Sequence, residues 1–207
     1  QHLIDLSVEF MGANPIVAET VPVAVGASFG MQLQKRKRVT VVFFGDAAVE
    51  EGVMHESLNF AALKNLPILF VCENNLYSTY THIRLRQPNR PLYKIAAAHG
   101  IWSKQADGND CLAVLKVAGE AISRIRGGQG PAFLEFTTYR YLEHVGPNLD
   151  PVSARPQKEI SFWKKRDPLP RLYQLIKKTS GGKDAPLESM EKKIKKAPGM
   201  SAPPSTR

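Results

Sequence analysis

The chain has 207 residues, 43% of them hydrophobic, which is enough for one domain with a hydrophobic core. No apolar run reaches the length of a membrane span and no signal peptide is visible, so we expect no membrane partner. The formal charge of +9 lies in the tail: residues 1–157 carry 15 basic and 14 acidic side chains, and residues 158–207 carry 13 and 5, which argues against a nucleic-acid-binding core.

The first predicted element is a helix that follows the Asn14-Pro15 turn. The segment from Ile16 to Pro22 leads into it, and a proline is tolerated in the first turn of a helix. Ile16 and Val17 are therefore expected just ahead of the helix, and an ordinary core loop is one interpretation of Ile16 on pattern alone.

A strand, a helix and a second strand follow in residues 39–72. Val39–Phe44 and Ile68–Cys72 are short apolar runs that predict strands buried on both faces. Between them, apolar residues recur at helical spacing and Leu66-Pro67 ends the helix. Two parallel strands joined by a helix form a right-handed crossover, so both strands end at the same edge of the sheet. Cys72 is expected to be a reduced core cysteine, in keeping with an intracellular compartment.

Polar residues stand just past both predicted strands. Asp46 follows the first strand and Asn75 follows the second, at the edge where open α/β sheets bind ligands. One carboxylate and one amide suit Mg²⁺, which takes few protein ligands and completes its shell with water and phosphate. The amides after Gly45 open a helix and can meet an anion. The alternative is that Asp46 caps the helix and the asparagines make a turn.

The rest of the chain predicts further helices and one strand. We expect a short helix at Leu92–His99, a helix at Cys111–Arg126 capped by Asp110, and a strand at Ala132–Thr138. A helix after Pro170 and a basic helix at Pro186–Lys196 precede an end, Ala197–Arg207, that we expect to be disordered. His144 follows the last strand and could face the same edge as Asp46, although a lone histidine is more often structural.

The stretch from Gly45 to Tyr77 resembles the thiamine diphosphate signature, which opens on Gly-Asp-Gly and closes on Asn-Asn. It is most similar to the alpha subunit of the decarboxylating component of 2-oxo acid dehydrogenase complexes, of the pyruvate, branched-chain and acetoin types. The resemblance covers roughly residues 12–178. The matching residues are Gly45, Asp46, Gly52, Glu56, Asn59, Ala61, Ala62, Leu66, Pro67, Glu73, Asn74, Asn75 and Tyr77.

The resemblance implies a three-layer α/β fold with a doubly wound, mostly parallel sheet. It implies that Mg²⁺ is held by Asp46, Asn75 and the carbonyl of Tyr77. It also implies that His144 meets the diphosphate and the 2-oxo acid, with a catalytic role. The cofactor-binding residues implied are Ile16, Val17, Gly45, Asp46, Ala47, Ala48, Asn75, Tyr77 and His144.

Several residues depart from the family pattern. Ala47 stands where a glycine would let the backbone approach the diphosphate. Ala18 and Thr20 replace a glycine and a glutamine. Val145 follows His144 where regulated animal members have a phosphorylated serine. The family's N-terminal part, with a tyrosine and an arginine for the diphosphate, is expected to be missing.

The resemblance implies thiamine-dependent oxidative decarboxylation of a small 2-oxo acid. Glu56 lies in the crossover helix, so the glutamate that activates the aminopyrimidine would come from a beta subunit, and a lipoyl-bearing acyltransferase would accept the product. The alternatives are an acetoin-cleaving or transketolase-like enzyme, or a non-catalytic assembly subunit. We expect a cofactor-binding domain over residues 1–150 and a basic helical extension over 151–207, in the cytoplasm or, in a eukaryote, the mitochondrial matrix.

Overall fold

The computed structural model describes residues 3–146, 148, 155–179 and 185–196. Four strands form one parallel sheet and two short strands form an antiparallel hairpin. In chain order the strands are β1 Thr40–Gly45, β2 Ile68–Asn74, β3 Tyr77–Ser78, β4 Thr81–His82, β5 Trp102–Asp107 and β6 Ala132–Thr137. The helices are α1 Thr20–Leu33, α2 Gly52–Leu63, α3 Tyr93–Ala98, α4 Cys111–Arg126, α5 Gln157–Lys164, α6 Pro168–Thr179 and α7 Ala185–Lys196.

The large sheet has the strand order β1-β2-β6-β5, so the chain moves outward to β5 and then returns to β6. Right-handed crossovers put helices on opposite faces when the direction of travel reverses. Accordingly α1, α2 and α3 pack on one face with Val42, Phe70 and Phe133, while α4 packs on the other with Leu69 and Leu134. These three layers confirm the predicted α/β class with a parallel sheet.

The prediction that the first strand is buried on both faces is wrong. β1 lies at the edge of the sheet, and its residues alternate between buried and exposed. Val42 and Phe44 face the core, but Val41 is 41% exposed and Phe43 is 63% exposed. The hydrophobic cluster that α4 forms with β2 and β6 includes no residue of β1. The neighbouring strand β2 is buried as predicted, and the thiol of Cys72 lies in its core, where burial raises its pKa well above the usual range.

One strand of the sheet was not predicted. β5 has the polar sequence Trp-Ser-Lys-Gln-Ala-Asp and is half-exposed along its length because it forms the other edge. An edge strand can carry polar side chains on both faces, so neither an apolar run nor an alternating pattern marks it. In the chain, β5 lies between the helix α3 and the turn that leads to α4.

The C-terminal helices differ in part from the prediction. The helix expected after Pro170 begins at Pro168, and α5 was not predicted. The helix α7 was expected, and the end Ala197–Arg207 lies outside the described residues. The chain divides into two compact units, Gln1–Lys165 and Arg166–Arg207. The boundary predicted at residue 150 also lies outside the described residues, and α5 belongs to the first unit because Trp163 stacks on Tyr139.

Candidate functional site

The carboxyl ends of β1 and β2 lie side by side. Gly45 is paired in register with Glu73, so Asp46 begins just past β1 on the same edge at which Asn75 leaves β2. The hairpin strand β3 packs against the short 3-10 helix Asp46–Glu50. The structure therefore places three of the predicted site residues, Asp46, Asn75 and Tyr77, at one edge of the sheet.

Asp46 is buried, with 1% of its surface exposed. It opens the 3-10 helix, and α2 begins only at Gly52. In the described part of the chain no side chain caps either helix, so the alternative that Asp46 is a helix cap is wrong. Instead, Asp46 Oδ2 accepts a hydrogen bond from Arg86 at 2.5 Å. A buried carboxylate needs a partner of opposite charge, and Arg86 is that partner here.

Arg86 joins the loop after β4 to the 3-10 helix. Besides Asp46, its guanidinium donates to Glu50 and, through Nε, to the carbonyl oxygen of Thr81 at 3.2 Å. The Arg86 side chain is only 11% exposed. The pairing could not be predicted, because the loop has no periodic pattern and its course depends on tertiary contacts.

Both asparagines make turns, as the alternative interpretation proposed. Asn74 Oδ1 accepts from the amide of Leu76, and Asn75 Oδ1 accepts from the amide of Tyr77, each at 3.1 Å. These bonds hold Leu76 at a φ of +72°, a strained value for a residue with a branched side chain. An amide oxygen has two lone pairs, so a turn bond at Asn75 leaves one for another ligand.

The carbonyl of Tyr77 points away from its hairpin partner. The amide of Ile83 donates to the carbonyl of Leu76 at 2.7 Å, which makes Tyr77 and His82 a non-hydrogen-bonded pair. In such a pair the backbone groups of both residues face outward. The backbone oxygen predicted as a metal ligand is therefore not used by the hairpin.

The side chain of Tyr77 is anchored in an aromatic cluster. Its hydroxyl donates to Glu159 at 3.1 Å, and the guanidinium of Arg155 lies 5.0 Å from the centroids of both the Tyr77 and Tyr139 rings. Burial, together with the bond to Glu159, raises the pKa of Tyr77 to about 12. The hydroxyl is thus a fixed donor at neutral pH, and it ties α5 to the turn that carries the site.

Glu135 supports the site from inside the sheet. It is 1% exposed, and its carboxylate accepts from Asn74 Nδ2 at 2.7 Å and from the amide of Tyr93 at 2.9 Å. Because Asn74 also binds the amide of Leu76, Glu135 fixes the start of the turn to Asn75 and Tyr77. An acidic residue within an apolar strand signals such a buried network, and the sequence reasoning missed it.

The turn after β1 has room on its outer side. A Cβ placed on Gly45 would meet nothing within 4 Å, so the backbone there can be approached closely. Ala47 is half-buried in the 3-10 helix and is not among the described residues with positive φ. Its methyl group therefore causes no backbone strain, and Ala48 is buried against the core.

Three further predicted site residues, Ile16, Val17 and His144, are exposed. Ile16 and Val17 are 63% and 54% exposed, so the interpretation of Ile16 as part of an ordinary core loop is wrong. They precede Ala18, whose φ of +63° falls in the region that favours the family's glycine. His144 is exposed in a bend. Among the described residues no hydrogen bond or ion pair joins it to Asp46 or Asn75, so its role stays a prediction.

The donor set at the edge suits a hard cation. Among the described residues no three His, Cys, Asp or Glu side chains cluster as a metal site. One carboxylate, one amide oxygen and one carbonyl oxygen nevertheless match the sparse oxygen ligation that Mg²⁺ accepts.

None of the described helices combines the length and the apolarity needed to cross a membrane.

Acid is expected to loosen the loop that carries Arg86. His82 Nδ1 accepts from the amide of Arg84 at 3.1 Å, which requires a neutral ring. Burial lowers the pKa of His82 below 6.5; Glu159 opposes this shift, and Arg84 and Arg86 add to it. The unfolded chain then binds more protons, so the free energy of unfolding falls as pH drops through 6.5.

The His82→Asn variant, which keeps an acceptor for the cap, tests this account by urea unfolding. Its free energy of unfolding should decrease less between pH 7 and pH 5 than that of the wild type. A decrease equal to that of the wild type would contradict this account.

The family model described as dehydrogenase E1 component matches residues 1–198. The alpha-3 subunit of the chloroplastic pyruvate dehydrogenase E1 component of Arabidopsis thaliana is 36% identical over 93% of this chain and 46% of its own length. The alpha subunit of that component from Rickettsia felis is 34% identical, over 94% and 59%. The alpha subunit of acetoin:2,6-dichlorophenolindophenol oxidoreductase of Bacillus subtilis is 34% identical, over 97% and 60%.

This chain thus spans about half to three-fifths of the curated relatives that it matches. Among solved structures, benzoylformate decarboxylase of Polynucleobacter necessarius aligns with a TM-score of 0.47 at 16% identity, over 63% of this chain and 25% of that one.

Proposed function

Because the chain belongs to the dehydrogenase E1 component family, we propose that it binds thiamine diphosphate with Mg²⁺ and acts as the alpha subunit in the oxidative decarboxylation of a 2-oxo acid. The observation that carries the proposal is the meeting of Asp46, Asn75 and the Tyr77 turn at one edge of the parallel sheet. That edge is where open α/β sheets bind their ligands.

Each residue of the edge has a distinct task in this proposal. Asp46, Asn75 and the carbonyl of Tyr77 would hold the cation, and the open backbone at Gly45 would let the diphosphate approach. Thiamine diphosphate, when bound, supplies the electron sink for decarboxylation. Ile16 and Val17 would line the cofactor, and His144 would donate a proton or a hydrogen bond to the diphosphate and the 2-oxo acid.

The proposal requires a second chain. Glu135 is already committed to Asn74 and Tyr93 and is therefore not offered to a cofactor ring. Glu56 is exposed on the crossover helix α2, and we do not assign it that role. A beta subunit would supply the activating glutamate, and a lipoyl-bearing acyltransferase would receive the product. Cys72 and Cys111 are free thiols, which favours a reducing compartment such as the cytoplasm or a mitochondrial matrix.

An acetoin-type substrate is the second candidate, favoured by the identity to the Bacillus subtilis relative, which equals that to the Rickettsia felis one. The residues at the sheet edge would hold the cofactor in both cases. Assays of the reconstituted alpha–beta pair with pyruvate, branched-chain 2-oxo acids and acetoin would separate the candidates.

Calorimetric titration with thiamine diphosphate tests the proposal. The chain is titrated alone and with a beta subunit of the family, in Mg²⁺ and in EDTA. We expect binding in Mg²⁺ with the beta subunit present and none in EDTA. If the mixed subunits bind nothing in Mg²⁺, the fold serves as an assembly scaffold instead of an enzyme.

A further inference from the structure

We propose that Arg86 is a positioning residue that orients Asp46 for the cation, an inference that rests on the proposed function. Arg86 lies in the loop after β4, about forty positions from Asp46 in sequence, and reaches it across the sheet edge. The two side chains are 11% and 1% exposed, so their contact is shielded from water. Shielded charge-assisted hydrogen bonds are stronger and more directional than exposed ones.

The contact gives the two carboxylate oxygens of Asp46 different roles. Oδ2 is occupied by the guanidinium, whereas Oδ1 accepts no hydrogen bond within the described residues. A cation that needs a single oxygen from Asp46 therefore finds one already oriented and not bonded. Metal-binding carboxylates are commonly held in this way by a donor outside the coordination sphere.

Glu50 neutralises the positive charge that Arg86 brings close to the cation site. A guanidinium beside a cation site repels the cation, but Glu50 pairs with the other arm of Arg86. Two carboxylates and one guanidinium leave one formal negative charge. The cluster thus keeps an attraction for Mg²⁺ while Asp46 stays oriented.

The opposite role would make Arg86 an internal cation that Mg²⁺ must displace from Asp46. The third contact argues against it, since Nε donates to the carbonyl of Thr81. Displacement would leave a nearly buried guanidinium with fewer partners, which is costly. The two roles predict opposite effects of removing Arg86, so one experiment decides between them.

The experiment measures how much Mg²⁺ is needed for thiamine diphosphate to bind. The chain and its beta subunit are titrated calorimetrically at fixed cofactor and increasing Mg²⁺, for wild type, Arg86→Gln, Arg86→Lys and Glu50→Gln. We expect Arg86→Gln to raise the Mg²⁺ requirement by about 10- to 100-fold, the usual effect of losing such an outer partner. Arg86→Lys should be intermediate because it keeps the charge without the fork. Glu50→Gln, which leaves the Asp46 contact intact, should raise it several-fold.

Arg84→Gln is the matched control, since Arg84 is an exposed arginine of the same loop. It should leave the Mg²⁺ requirement unchanged, and saturating Mg²⁺ should restore cofactor binding to Arg86→Gln. An unchanged or lower requirement in Arg86→Gln, with the wild type binding normally, overturns the positioning role alone. A wild type that binds no cofactor overturns both this inference and the proposed function.

Discussion

Replacing Asp46 by asparagine is expected to weaken Mg²⁺-dependent binding of thiamine diphosphate by about 100-fold or more. Losing a partner outside the coordination sphere usually costs about 10- to 100-fold in metal affinity. We expect a loss at or above that upper value here, because Asp46 would ligate the cation itself. The asparagine amide would keep the shape of the side chain, and its oxygen could still accept from Arg86, so the fold should survive. The charge that attracts the cation would be lost. Calorimetry with the beta subunit, at several Mg²⁺ concentrations, measures the effect.

Glu51→Gln is the control for this substitution. Glu51 is an exposed acidic residue five positions further on, and its side chain makes no capping bond. The Glu51→Gln substitution removes one negative charge from the same segment as Asp46→Asn does. Because Glu51 is not a proposed ligand, the Glu51→Gln variant should bind cofactor like the wild type. If Asp46→Asn and Glu51→Gln behave alike, Asp46 does not hold the cation and the proposed site must lie elsewhere.

Glu135→Ala is expected to destabilise the fold strongly. The substitution leaves the amide of Asn74 and the backbone N–H of Tyr93 buried without an acceptor. Each buried unsatisfied donor costs about 1–3 kcal/mol, so we expect the loss of both acceptors to lower the free energy of unfolding by about 2–6 kcal/mol. Glu135→Gln keeps the volume but turns an NH₂ group toward one of the two donors, so a smaller loss of about 1–3 kcal/mol is expected.

Urea unfolding followed by circular dichroism measures both losses. Glu120→Ala is the matched control, because Glu120 is an exposed glutamate paired with Lys104 and such pairs contribute about 0–1 kcal/mol. Hydrogen exchange adds a local readout, since the amide of Leu76 should lose protection when Asn74 is released. A loss in Glu135→Ala no larger than in Glu120→Ala would show that the network does not support the fold.

The local pattern of the chain was sufficient to predict the crossover from β1 to β2. The apolar run of β2, the spacing in α2 and the polar residues after each strand are short-range signals, and all three lie where expected. The position of Asp46 and Asn75 at one edge follows from the parallel crossover alone. Asp110 as the cap of α4 was likewise predictable, and its carboxylate accepts from Leu112 and Ala113.

Local pattern could not predict whether a strand lies at the edge or in the centre of the sheet. Phe43 and Val41 have the composition of a buried strand, yet they are exposed because β1 lies at the edge. The polar strand β5 was missed for the converse reason. Burial depends on which element covers a face, and that is a property of the packed sheet.

The sequence by itself therefore determined the fold class, the order of the crossover and the identity of the residues at its edge. Only the tertiary structure decided how those residues are held. The contacts of Arg86 with Asp46 and of Glu135 with Asn74 join residues that are distant in sequence. No periodicity encodes such pairs, because they arise when separate loops and strands converge. Hydrogen bonds and charge pairing in the buried interior then select the partners.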